Sequence, residues 1–121
     1  MLRPFLALSF ASALFMASAD AQDDRIKMVD TDAMRMSAAK RTGQLDKVVT
    51  LSDEQRERVN DFYMSIERRL DAIDQRYTIA GLTPEQKASE MAVIHNAMKK
   101  DEEQALPELL TPDQLAKWKA K

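Results

Sequence analysis

Along residues 53–79 the apolar side chains recur at helical spacing. At ~100° per residue, Val59, Phe62, Tyr63, Ile66, Leu70, Ile73 and Tyr77 fall on one stripe. Arg58, Arg69 and Arg76 line one flank of it, and Glu67, Asp71 and Asp74 line the other. A softer stripe follows in Ala88, Met91, Ile94, His95, Met98, Ala105 and Leu106, with Glu102 interrupting it and Val93 pointing the opposite way. The spacing predicts two long helices, Asp53 to about Ile79 and Pro84 to about Leu106. Gly81 breaks the run between them. The connection is so short that the two rods are expected to fold back as an antiparallel hairpin. A shorter helix is expected from Asp24 to about Arg41, stopping at Gly43. A last one is expected from Pro112 to about Lys119, after Pro107 has ended or kinked the helix before it.

Three of these starts share one spelling: LSDEQ at Leu51–Gln55, LTPEQ at Leu82–Gln86 and LTPDQ at Leu110–Gln114. Each reads as a capping box. The hydroxyl of Ser52, Thr83 or Thr111 accepts from the third helical N–H, and Gln55, Gln86 or Gln114 reaches back to the cap N–H. Pro84 and Pro112 take the first helical position, where a missing N–H is harmless. Asp53, Glu54, Glu85 and Asp113 place negative charge at the positive end of the helix dipole. Each cap is worth about 1 kcal/mol. Leu110 has Leu115 five residues on, as a hydrophobic staple requires. Leu51 and Leu82 meet Arg56 and Lys87 at that spacing, so they are expected to pack on a neighbouring helix instead.

Composition agrees with an all-α fold. The chain has 121 residues, two glycines and four prolines, and few aromatics. One domain suits that length. The first residues read differently: Arg3, an apolar run from Phe5 to Met16, then Ala19-Asp20-Ala21, an A-x-A pattern. This is the layout of a secretory signal peptide over residues 1–21, with cleavage expected after Ala21. The apolar run is too short to span ~30 Å of hydrocarbon, so no membrane anchor is expected after cleavage. Cleavage removes one positive and one negative charge, leaving the net charge at −2. Such a balance gives no case for nucleic acid. There is no cysteine, so packing, a metal or a partner chain must supply stability.

Beyond the signal, residues 22–47 form an N-terminal helical or mobile segment, and residues 48–121 the main helical domain. Two amphipathic rods leave part of each stripe uncovered, and neither the first nor the last helix carries enough apolar surface to finish the task. Homodimerisation would bury the remainder. The stripe period is nearer 3.6 than 3.5, which disfavours a long regular coiled coil. The ordered charges suit either a solvated helix face or a binding surface of Arg58, Phe62, Ile66, Arg69, Ile73 and Arg76, where arginine pairs with carboxylates and lies flat on aromatic rings.

No catalytic constellation is spelled out: there is one histidine, no cysteine and no glycine-rich phosphate loop. The expectation is a protein that is not an enzyme and carries no cofactor. Met28, Met34 and Met36 cluster, and thioethers suit Cu(I), but methionine is also a flexible packing residue. Met34 and Met36 stand ~200° apart on a helix, so a shared site would need a non-helical segment. His95, near Met91 and Met98, reads as a packed histidine rather than a ligand. Asp23, Asp24, Asp30 and Asp32 lack the spacing and glycine of a calcium loop.

A signal peptide, a small cysteine-free helical chain and repeated L-T-x-x-Q resemble the LTXXQ-motif family, the Spy and CpxP group of periplasmic proteins. The likeness rests on Leu51–Gln55, Leu82–Gln86 and LLTPDQLAKW at Leu109–Trp118, and covers about Val48 to Trp118. It implies a periplasmic all-α hairpin that forms a cradle-like antiparallel homodimer. It also implies a Spy-like chaperone without ATP that binds unfolded or apolar segments of envelope proteins under stress. Alternatives from the same group are an inhibitor or accessory regulator of a membrane sensor kinase, as CpxP is, and a metal-binding stress protein. Leu51, Gln55, Leu82, Thr83, Gln86, Leu110, Thr111 and Gln114 carry over as fold determinants. The well-studied members are strongly basic and the metal-responsive ones histidine-rich, whereas this chain is slightly acidic with one histidine.

Overall fold

The computed structural model describes residues 25–121. The expected signal peptide, Asp23 and Asp24 lie outside those residues. Among the described residues a non-helical N-terminal strap is followed by four helices: α1 (Asp32–Val49), α2 (Asp53–Ile79), α3 (Pro84–Leu109) and α4 (Pro112–Ala120). The described residues contain helices and no strand, so the chain is all-α.

α2, α3 and α4 start where the three repeats place them. Ser52, Thr83 and Thr111 are the caps, and each capping box is complete in both directions. α2 ends in a Schellman turn: Leu82 N–H donates to the Tyr77 carbonyl at 3.2 Å and Gly81 N–H to that of Thr78 at 3.1 Å. Gly81 has φ +78, a conformation that a Cβ would disfavour. α3 then returns beside α2, with Lys87 near Asp74, Arg69 bridging to Asp101 and Tyr63 donating to Glu102.

α1 departs from the expected bounds at both ends. It starts at Asp32 rather than Asp24, because Thr31 is the cap. The N3 partner there is Met34, whose sulfur accepts the Thr31 N–H at 3.4 Å. The helix does not stop at Gly43 but runs on to Val49. Its end is enforced at Thr50, which has φ 55, a strained value for a β-branched residue. Pro107 likewise does not end α3, which continues to Leu109. Pro107 sits in the last turn, where only one helical bond is lost.

α1 is part of the same core as the other helices. Met34, Ala38, Leu45 and Val49 are buried together with Leu51, Val59, Tyr63, Ile66, Leu70, Met98, Leu106 and Leu110. Residue 47, where the sequence places a division, lies in the last turn of α1. Thr42 is the buried polar member, and it is satisfied: its hydroxyl donates to the Ala38 carbonyl at 2.9 Å and reaches Asn60 Oδ1 at 3.3 Å.

The core occupies one end of the molecule. From Ile73 through Ala97, no side chain is buried. In that distal half Ile73, Tyr77, Ile79, Leu82, Met91 and Ile94 are only half-covered. Two helices side by side lack the third surface needed to exclude water from both stripes.

Candidate functional site

Two of the three repeats meet at the packed end. Gln55 and Gln114 exchange side-chain amide bonds: Gln55 Nε2 to Gln114 Oε1 at 2.7 Å, and Gln114 Nε2 to Gln55 Oε1 at 3.0 Å. Each oxygen also accepts its own cap N–H, from Ser52 at 3.0 Å and Thr111 at 2.9 Å. Each nitrogen also reaches a carbonyl just ahead of the other repeat. Gln114 Nε2 donates to Thr50 O at 3.0 Å, and Gln55 Nε2 to Leu109 O at 3.3 Å. The arrangement is close to two-fold symmetric. Leu51 and Leu110 are buried beneath it. The third repeat has only its local box: Gln86 Oε1 accepts the Thr83 N–H at 2.9 Å, Gln86 and Thr83 are exposed, and Leu82 is half-buried.

The expected binding stripe divides in the structure. Ile66 is 1% exposed and belongs to the core, so it is not a surface residue. Arg69 is committed to Asp101 at 3.1 Å. Phe62 and Ile73 are half-buried, Phe62 packing against the core edge with its ring 5.3 Å from that of Tyr63. Arg58 is exposed and Arg76 half-buried. Of the arginine flank, Arg69 is the one bonded to α3, and the apolar stripe is used up near the core and only partly covered beyond Ile73.

Tyr63 sits at the junction, 1% exposed, donating to Glu102 at 2.6 Å with Arg41 over its ring. Burial pushes its hydroxyl well above the ordinary tyrosine range, and the bond to Glu102 adds to the shift. Beside it is a cavity of about 260 Å³ lined by Arg41, Gln44, His95, Lys99, Glu102 and Trp118. His95 Nδ1 lies 2.8 Å from the Met91 carbonyl, one turn back on its own helix.

The three clustered methionines do not meet at one point, although Met28 and Met34 line the same small cavity. Met34 is buried, Met36 is 71% exposed, and Met28 is exposed on the strap. Among the described residues no group of three or more histidine or carboxylate side chains is placed to hold a metal ion.

Sequence reasoning missed the strap entirely. Gln75 of α2 holds the backbone of Lys27 at both ends: its Oε1 accepts the Lys27 N–H at 2.7 Å and its Nε2 donates to the Lys27 carbonyl at 2.9 Å. The second Nε2 proton goes to Asp71 at 2.8 Å, and a carboxylate only accepts, so Asp71 fixes which way the amide points. One helical stretch away, Arg68 forks onto Asp30 with two bonds of 2.9 Å. The hydrogen bonds from Arg68 hold the Asp30 carboxyl below the usual carboxylate range. No periodicity announces such a contact, because its partners are 38 and 48 residues apart.

No family model, no curated protein and no solved structure matches this chain.

Proposed function

We propose that this protein is an exported, non-enzymatic binding protein that shields apolar stretches of unfolded chains in the periplasm, in the manner of the Spy and CpxP group. The observation that carries the reading is the distal half of the α2–α3 pair, where Ile73, Tyr77, Ile79 and Leu82 are only partly covered and are not part of the core. A row of partly covered apolar residues along one pair of helices suits an interface. The packed end anchors the two rods, and the open end offers a long hairpin whose stripes remain available. A second copy of the chain, laid antiparallel to give a cradle, would bury part of this area. An unfolded client would take the rest. The net charge of −2 makes long-range steering of acidic clients weak, so contact is governed by apolar area rather than charge.

The test is light scattering of an aggregating client mixed with equimolar mature protein. Aggregation slows. Phe62→Ala, at the rim where the stripe leaves the core, weakens the effect by about an order of magnitude, the equivalent of ~1.4 kcal/mol of apolar contact. Unchanged aggregation, with Phe62→Ala indistinguishable from the parent, sinks the chaperone reading. In a pull-down from envelope extracts many unrelated chains are expected. Recovery of a single membrane sensor would replace the chaperone reading with that of a regulator.

A further inference from the structure

We infer that α2 carries a second, polar recognition site: a clamp, built from Gln75 and Arg68, for an extended segment with a carboxylate three residues beyond the clamped one. In the resting protein the chain's own strap, Lys27 to Asp30, occupies it. This inference rests on the reading above, in which the ligands are unfolded segments, and it specifies what one part of the protein recognises in them.

The geometry makes the case. The hydrogen bonds of Gln75 to the strap go to the backbone N–H and carbonyl of Lys27, so it accepts any residue but proline at that position. Arg68 reads a carboxylate through a two-bond fork that lysine or a neutral donor does not reproduce. The register matches: seven residues along a helix rise about 10.5 Å, and three extended residues span about 10 Å. The two anchors on α2 are therefore spaced as an extended strap requires, and the strap is held at Lys27 and at Asp30. Between the two anchors Met28 and Val29 are 70% and 62% exposed, so little of either side chain is covered. A cavity of about 100 Å³ remains between the strap and the helix, lined by Met28, Val29, Asp30, Met34, Arg68 and Asp71.

The way the strap is held leaves it displaceable. It brings no buried side chain to the core before Met34. Arg68 and Asp30 are both substantially solvent-exposed, where ion pairs are weak. An external segment with the same features competes for the same bonds, whereas the strap has the advantage of being tethered.

The probe is a fluorescent peptide with the strap's own sequence, Arg-Ile-Lys-Met-Val-Asp-Thr, titrated into the full mature chain. A variant carrying Lys27→Pro and Asp30→Asn opens the strap, because it removes the clamped N–H and the forked carboxylate while leaving Gln75 and Arg68 intact. The opened variant is expected to bind the peptide roughly tenfold more tightly than the parent, since the tethered competitor is gone. A peptide with Asn in place of Asp binds more weakly, and adding Gln75→Ala or Arg68→Ala to the opened variant abolishes binding. Equal affinity of parent and opened variant, or indifference to Gln75 and Arg68, overturns the clamp. An independent check needs no opened variant. In the parent the Lys27 amide exchanges slowly with solvent, and Gln75→Ala releases it; an amide already exchanging at the rate of a free peptide contradicts the inference. Peptide binding without suppression of aggregation would discard the chaperone reading and keep the clamp, and the reverse result would discard the clamp alone.

Discussion

Gln55 and Gln114 each do three things with one side chain: each closes its own capping box, bonds the other glutamine, and satisfies a carbonyl ahead of the other repeat. Removing either leaves a half-buried amide and a carbonyl unmatched, whereas removing Gln86 removes one exposed cap. In urea denaturation Gln55→Ala and Gln114→Ala should each cost about 2 kcal/mol, and Gln86→Ala about 0.5–1 kcal/mol. The double variant should show a coupling of about 1 kcal/mol. Equal losses at all three positions would mean that the pairing contributes nothing beyond capping. Tyr63 gives a pH test. Its folded-state pKa is raised, so its contribution is complete below the unfolded tyrosine value of about 10 and is lost as the pH rises above it. Tyr63→Phe should lose about 1 kcal/mol near neutrality, through the bond to Glu102. It should also lose less of its remaining stability than the parent between neutral and strongly alkaline pH. A parallel alkaline decline in both proteins would contradict the assignment.

At the level of elements, the helix starts were legible wherever a hydroxyl stood three residues before glutamine. The start of α1 was not, because Met34 sulfur takes the place of that glutamine, and no pattern rule reads a thioether as a cap partner. Gly43 misled for a related reason. Its position inside α1 is decided by the packing of Ala38, Leu45 and Val49 on α2, which outweighs a glycine's local preference. A Cβ added there meets nothing within 4 Å, so Gly43→Ala should stabilise the protein by about 0.5–1 kcal/mol, read as a rise in Tm. A fall in Tm would show that α1 needs the flexibility. The apolar stripe of α2 was read correctly as a stripe, but spacing alone does not say which part a neighbouring helix covers. Ile66 marks that division. Ile66→Ala should destabilise by about 2–4 kcal/mol as a core truncation, with aggregation suppression unchanged at temperatures where the variant stays folded. Phe62→Ala, at the half-buried edge, should lower Tm less than Ile66→Ala does while weakening client binding.

The molecule as a whole has a closed end and an open one. α1, α4 and the paired repeats seal the first. Beyond Ile73, among the described residues, only the strap at Gln75 lies beside the two long helices, and Ile73, Tyr77, Ile79 and Leu82 stay partly covered. The surplus was foreseeable from two stripes in a short chain. Its location was not, because that depends on how far α1 and α4 reach along α2. The clamp at Gln75 was equally hidden, since it joins a segment without periodicity to a helix far along the chain. The central claim is that one copy leaves apolar surface it does not hide from water, and sedimentation equilibrium of the mature protein, run with a hydrophobic dye, tests it most directly. A concentration-dependent dimer is expected, with dye bound at low concentration and displaced as the dimer forms. A compact monomer at every concentration that binds no dye would contradict the account.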